Sequence, residues 1–224
     1  MTQQADKRHL PIWQETILLV VTAVVIAVVV KTFFLQAFYI PSGSMEPTMV
    51  ENDRLLVQKV SYWSGDPDRG DIVVFDDPGG WLAEDESRAA TNPVQKALEV
   101  VGLYPTGGHL IKRVVGVGGD TVRCCTDDGR LTVNGTPITE EYPLDPSVTA
   151  DTPFEVKVPQ GYLWVMGDNR DNSADSRAHM GEPGGGFVPV SDVVGKAWLR
   201  VWPFDRGGFV DGTDAFDDVA EPKK

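Results

Sequence analysis

Three short segments hold the residue types from which a hydrolytic site is built. The first is Pro41-Ser42-Gly43-Ser44-Met45-Glu46-Pro47-Thr48-Met49. Gly43 lets the chain turn tightly between two serines, and Pro47 drives Glu46 out of helical geometry, so the segment is a loop able to present a hydroxyl. Ordinary loops share that Ser/Gly/Pro composition. A serine becomes a nucleophile only beside a base. His9, His109 and His179 fall in no triad-like pattern, no Gly-x-Ser-x-Gly elbow occurs, and Pro47 stands where the lysine of a Ser-x-x-Lys pair would fall.

The second segment offers a different base. In Leu110-Ile111-Lys112-Arg113-Val114-Val115, strand alternation sets Lys112 on one face with Leu110 and Val114, and Arg113 on the other. Burial of an amine on an apolar face lowers its pKa, and a neutral lysine can take a proton from a serine hydroxyl. A lysine reaching water from an edge strand has the same local sequence. The third segment, Gly167 to Arg177, packs charged, amide and hydroxyl side chains directly behind an expected strand, Tyr162 to Met166. It reads either as a solvated loop or as a hydrogen-bonding network on a rigid scaffold.

The elements that must position these segments are mostly strands. Runs rich in Val, Ile, Leu and aromatics at Arg54–Val60, Asp71–Phe75, Leu110–Val115, Arg130–Asn134, Phe154–Val158, Tyr162–Met166 and Ala197–Val201 are separated by Gly, Pro, Asp and Asn. Asp128-Gly129 and Asn134-Gly135 are hairpin-turn signals, and Asn134-Gly135-Thr136 is read as a turn rather than a glycan acceptor. Pro93–Val101 carries helical spacing inside a longer excursion, 77–108. That excursion is expected to pack on the domain surface. Near the N-terminus, the apolar run Ile17–Val30 continues through Leu35 past Lys31. No small-x-small cleavage pattern follows it, so it is read as an uncleaved anchor with Lys31 snorkelling to the interface. Lys7 and Arg8 before it place the N-terminus in the cytoplasm.

The net charge of −13 argues against a nucleic-acid partner. Most of that charge lies in Asp76–Asn92, Glu140–Glu155 and the stretch from Asp205 to Lys224, read as solvated loops and a frayed acidic tail. The two cysteines, Cys124 and Cys125, are neighbours, closer across a trans peptide than disulfide geometry prefers; they read first as two ordinary strand residues, with a strained vicinal disulfide as the alternative.

Taken together, the segments resemble the bacterial type I signal peptidases in their single-span form. Pro41–Met49 is similar to the nucleophile segment of that family, Gly70–Phe75 to the strand that follows, Lys112-Arg113 with Gly116 and Gly119-Asp120 to the lysine segment, and Gly167–Arg177 to the last motif. The resemblance covers most of the chain from Phe38 to Gly195. It implies a mainly β fold: an N-terminal transmembrane helix followed by a β-rich catalytic domain with a smaller inserted β subdomain. The boundaries expected are 1–15 for a cytoplasmic N-terminus, 16–36 for the anchor, 37–122 and 160–204 for the catalytic domain with the helix-bearing excursion 77–108, 123–159 for the inserted hairpin subdomain, and 205–224 for the acidic tail.

The resemblance also implies roles. Ser44 is the nucleophile and Lys112 the general base. The Ser44 backbone N–H and the Ser42 hydroxyl form the oxyanion hole, Ser173 aims the Lys112 amine, and Asp175 and Arg177 hold the arrangement. Phe38, Ile40, Met49, Leu55, Val74, Leu110 and Ile111 line shallow pockets for small side chains. No metal and no organic cofactor is implied. The partners are exported preproteins carrying signal peptides, together with membrane lipid, and the location is the bacterial cytoplasmic membrane with the catalytic domain on its outer face. Two other readings stand beside this one: an inactive relative that binds peptides, and a self-cleaving repressor. The second calls for a DNA-binding region, where this chain has an apolar anchor and an acidic balance.

Overall fold

The computed structural model describes residues 11–63, 65–82, 92, 108–143, 153–210 and 212–222. Helix α1, Ile12–Phe33, opens the chain, and its window Ile12–Val30 has a mean hydropathy of 2.3 with none of it buried against the rest of the protein. Twenty-two residues at about 1.5 Å each match the hydrocarbon thickness of a bilayer. The helix starts earlier and stops sooner than the span read from the sequence, because Leu35–Tyr39 leave it to form strand β1. The Lys31 side chain lies outside the described residues.

The larger sheet is antiparallel. It contains β1, β2 (Arg54–Gln58), β3 (Ile72–Asp76), β4 (His109–Gly116), β9 (Tyr162–Met166), β10 (Val188–Pro189) and β11 (Val193–Trp202), in the order β1-β2-β11-β3-β4-β9-β10, with β12 (Gly208–Phe209) pairing β11. The smaller sheet, in the order β7-β6-β5-β8, takes β5 (Thr121–Cys124), β6 (Thr132–Val133), β7 (Thr136–Pro137) and β8 (Phe154–Lys157). The fold is mainly β, as the sequence implied. Asn134 and Gly135, with φ of 53° and 82°, make the expected turn between β6 and β7. The helix expected over 93–101 lies outside the described residues. Ahead of it, Trp81 and Leu82 pack on the face formed by Val73, Phe75 and Val165, and Trp81 stacks on His179 at 4.3 Å.

Two expectations are corrected by the C-terminal half. Val115, Trp164 and Met166 of the large sheet share one core with Val122, Leu131, Val133 and Phe154 of the small sheet, and that core also takes in Phe216 and Val219. The tail is therefore not frayed. The acidic side chains of Asp205, Asp214, Asp217, Asp218 and Glu221 face solvent while two apolar residues three positions apart anchor it. Its carbonyls are used as well: Ala220 accepts from Arg69 and from Asn134 Nδ2, the latter at 2.9 Å. Glu140, read as part of a solvated loop, pairs with the buried Arg170 at 2.6 Å. Of the two readings of the cysteines, the disulfide is the one formed: Cys124 and Cys125 are joined across a cis peptide bond, with their Cα atoms 3.0 Å apart.

Candidate active site

Residues 40–53 form a closed loop. Ile40 N donates to Asp53 O, Asn52 N donates to Ile40 O, and Tyr39 Oη donates to Asn52 Oδ1 at 2.6 Å. Within it Gly43–Met45 make a single 3-10 turn, and Glu46 is extended ahead of Pro47 as the sequence required. The leading N–H groups of such a turn have no partner inside it, so the Ser44 N–H stands at a place suited to an anion. Asp53 is fully buried and pins the loop from below: it accepts from Val50 N and pairs with Arg200 and Arg206. Arg200 also donates to Thr48 O at 2.9 Å.

Strand β4 brings the lysine to this turn from 68 residues away in sequence. Lys112 Nζ lies 2.8 Å from Ser44 Oγ and donates to Ile111 O at 3.0 Å. Ser42 Oγ is 3.4 Å from Ser44 Oγ. Lys112 is 4 % exposed and Ser44 7 %. Burial pushes the Lys112 amine down from 10.5 to about 8, against a partial upward pull from the carboxylates of Asp175 and Asp168. A neutral amine has two hydrogens and one lone pair. With Ile111 O taking one hydrogen, the lone pair is free to receive the Ser44 proton.

The Gly167–Arg177 segment supports both partners. Asn169 N donates to Ser44 O and its Nδ2 to Gly43 O, so this one residue holds two carbonyls of the serine turn. Asp168 accepts a bidentate pair from Arg113 at 2.8 and 2.6 Å and a further bond from Thr48 Oγ1. Arg113 extends the wall through Gly70 O and lies 4.0 Å over the Tyr142 ring. Asp175 accepts from Gly167 N and from Arg177. Burial alone would raise its carboxyl, but the hydrogen bonds and charge of Arg177 outweigh that and hold it below the usual range. Gly167 admits no side chain, since a Cβ there would stand 2.5 Å from Ser44 O and 2.3 Å from Ser173 Oγ.

Of the residues expected from sequence, Ser44, Lys112, Ser42, Asp175 and Arg177 meet at this site. Ser173 differs in detail. Its Oγ is buried beside the Asp175 carboxylate, near enough to favour the ionised form, but closes no hydrogen bond of ordinary geometry and none to Lys112. Phe38, Ile40, Met49, Leu55, Val74 and Ile111 gather in one cluster with Met45, whereas Leu110 falls in a different cluster. Adjacent strand residues point to opposite faces, so Leu110 and Ile111 do not line one pocket together. The clamps made by Asn169, Asp168 and Thr48 were not singled out from sequence. For Asn169 and Asp168 the only signal was the density of amide and charged residues after β9.

A sequence model of the family described as "Signal peptidase, peptidase S26" matches residues 13–202. A probable signal peptidase I of Mycobacterium leprae is 41% identical over 91% of this chain and 81% of its own. A signal peptidase I of Mycobacterium tuberculosis is 44% identical over 88% of this chain and 75% of its own. Among solved structures, a signal peptidase I from Enterococcus faecalis aligns with 59% of this chain and 97% of that one, at 24% identity and a TM-score of 0.36. The chain belongs to the signal peptidase family, peptidase S26. It is a serine endopeptidase of signal peptides, fitted with an N-terminal apolar helix as a membrane-anchored protein is.

Proposed function

We propose that this endopeptidase cuts exported preproteins after a small-x-small motif by a Ser44/Lys112 dyad. The observation that carries the reading is the 2.8 Å approach of a buried Lys112 amine, its pKa pushed down to about 8, to the Ser44 hydroxyl. Neutral Lys112 takes the Ser44 proton as Oγ attacks the carbonyl carbon before the cut. The resulting oxyanion is met by the Ser44 N–H and the Ser42 hydroxyl, and loss of one such donor typically costs about a hundred- to a thousandfold in rate. The lysine ammonium then returns its proton to the leaving amine, the acyl group remains on Ser44, and water hydrolyses the ester with Lys112 again as base. Asp175 and Arg177 hold Gly167, and Asn169 holds the serine turn, so the two reacting atoms stay aligned.

In this reading Phe38, Ile40, Met49, Leu55, Val74 and Ile111, which gather in one cluster beside the serine turn, line shallow pockets that admit small residues and exclude large ones. The anchor would bring this site to the membrane, with the N-terminus cytoplasmic and the catalytic domain outside. Exposed Trp198, Trp202, Phe204 and Phe209 on and after β11 suit a domain that rests at a lipid interface. The test is mass spectrometry of products from a preprotein cut by the full chain in detergent. Cleavage after the small-x-small motif, abolished when either small residue is enlarged to Phe, is expected; cleavage elsewhere, or tolerance of Phe, overturns the reading.

A further inference from the structure

The carboxylates that support the serine turn from within the protein are matched by arginine. Asp168 is held by Arg113, Asp175 by Arg177, and Asp53 by Arg200 and Arg206. Glu46, two residues past Ser44, is the contrast. Its side chain folds back over Gly43, where a Cβ would stand 3.2 Å from both its Cδ and its Oε1. With neighbouring Cα atoms about 3.8 Å apart, its carboxylate therefore lies within about 9 Å of the Ser44 Cα. Glu46 is half-buried, and its carboxylate forms no hydrogen bond or ion pair among the described residues. An extended peptide rises about 3.3 Å per residue, so the residues flanking a carbonyl carbon held at Ser44 Oγ fall within range of this charge.

We infer that Glu46 is a specificity-determining residue whose charge selects against acidic side chains, and in favour of neutral or basic ones, at the positions flanking the cut. The inference rests on the Ser44/Lys112 reading given above. Like charges at this range and partial exposure repel by an amount that corresponds to about three- to tenfold in rate, and added salt screens it. Substrate charge at these positions does not alter the chemistry at Ser44, so the ratio between substrates reads Glu46 while any uniform effect on the oxyanion cancels.

The experiment uses the full chain in detergent and preproteins identical except for Glu, Gln or Lys at the residue after the cut, with a second series varied at the middle of the small-x-small motif. In the wild type, kcat/KM for Gln should exceed that for Glu by about three- to tenfold in at least one series, and 0.5 M salt should shrink the gap. Glu46→Gln should bring the ratio near one, and Glu46→Lys should invert it. Cleavage of the Gln substrate by the wild type and its loss in Ser44→Ala test the parent reading separately. A wild-type ratio near one in both series, or a ratio unchanged in Glu46→Gln, overturns the inference about Glu46 alone.

Discussion

Replacing Lys112 with methionine should make the protein more stable at neutral pH. The fall of the amine from 10.5 to about 8 corresponds to about 3 kcal/mol of destabilisation when the site is protonated. Between pH 8 and 10.5 the unfolded chain holds a proton on this lysine that the folded protein does not, so stability rises with pH across that window. The penalty is thus fully present below about pH 8 and relieved above 10.5. Methionine keeps the apolar stem and removes the charge, but it also removes the contacts to Ser44 Oγ and Ile111 O, which offsets about 1 kcal/mol. The expected outcome is a Lys112→Met variant about 2 kcal/mol more stable than wild type at pH 7, with the advantage gone by pH 10.5. Urea unfolding of both proteins in the same detergent measures it, and taking their difference cancels the titration of every other group. A variant equal or less stable at pH 7, with a difference that does not change with pH, would refute the argument that Lys112 is buried at a cost.

Three further outcomes follow from the same geometry. Because the neutral amine is the active form, kcat/KM should rise with unit slope in pH and level off above about 8, so that activity at pH 6 is roughly a hundredfold below the plateau; a pH-rate profile flat from 6 to 9 contradicts this. Arg113→Ala leaves the Asp168 carboxylate buried and unpaired, which should cost about 3–5 kcal/mol in an unfolding titration. Deleting residues 213–224 exposes the cavity left by Phe216 and Val219 and should lower stability by about 3–5 kcal/mol, seen as a reduced Tm, whereas an unchanged Tm would mean that the tail contributes nothing to the core.

The chemistry was legible in the sequence wherever local geometry forces the hand. Gly43 and Pro47 define a turn, alternation puts Lys112 and Arg113 on opposite faces, and Asn134-Gly135 defines a hairpin. What failed to show was long-range pairing. Leu35–Tyr39 continue the apolar character of the anchor, so nothing local says that they pair with β2. In the tail, Phe216 and Val219 are outnumbered by aspartates, and the charge count hid an anchor of two side chains. Glu140 looked solvated because its partner, Arg170, stands 30 residues further on. Asn169 could not be assigned to the serine turn because its two acceptors are backbone carbonyls, which carry no residue-type signal. The disulfide stood only as the weaker reading of the cysteines because a trans peptide spaces neighbouring Cα atoms unfavourably for it, and the bond between Cys124 and Cys125 is cis.

The central claim is that Ser44 and Lys112 act as one unit. It is tested most directly by preprotein cleavage with the purified full chain in detergent, run beside Ser44→Ala and Lys112→Met, with unfolding curves to show that each variant is folded. The wild type should cut, both variants should be folded, and each should lose activity to the same background. Residual cutting by Lys112→Met well above that of Ser44→Ala would mean that the lysine is not the base, and the dyad would fall.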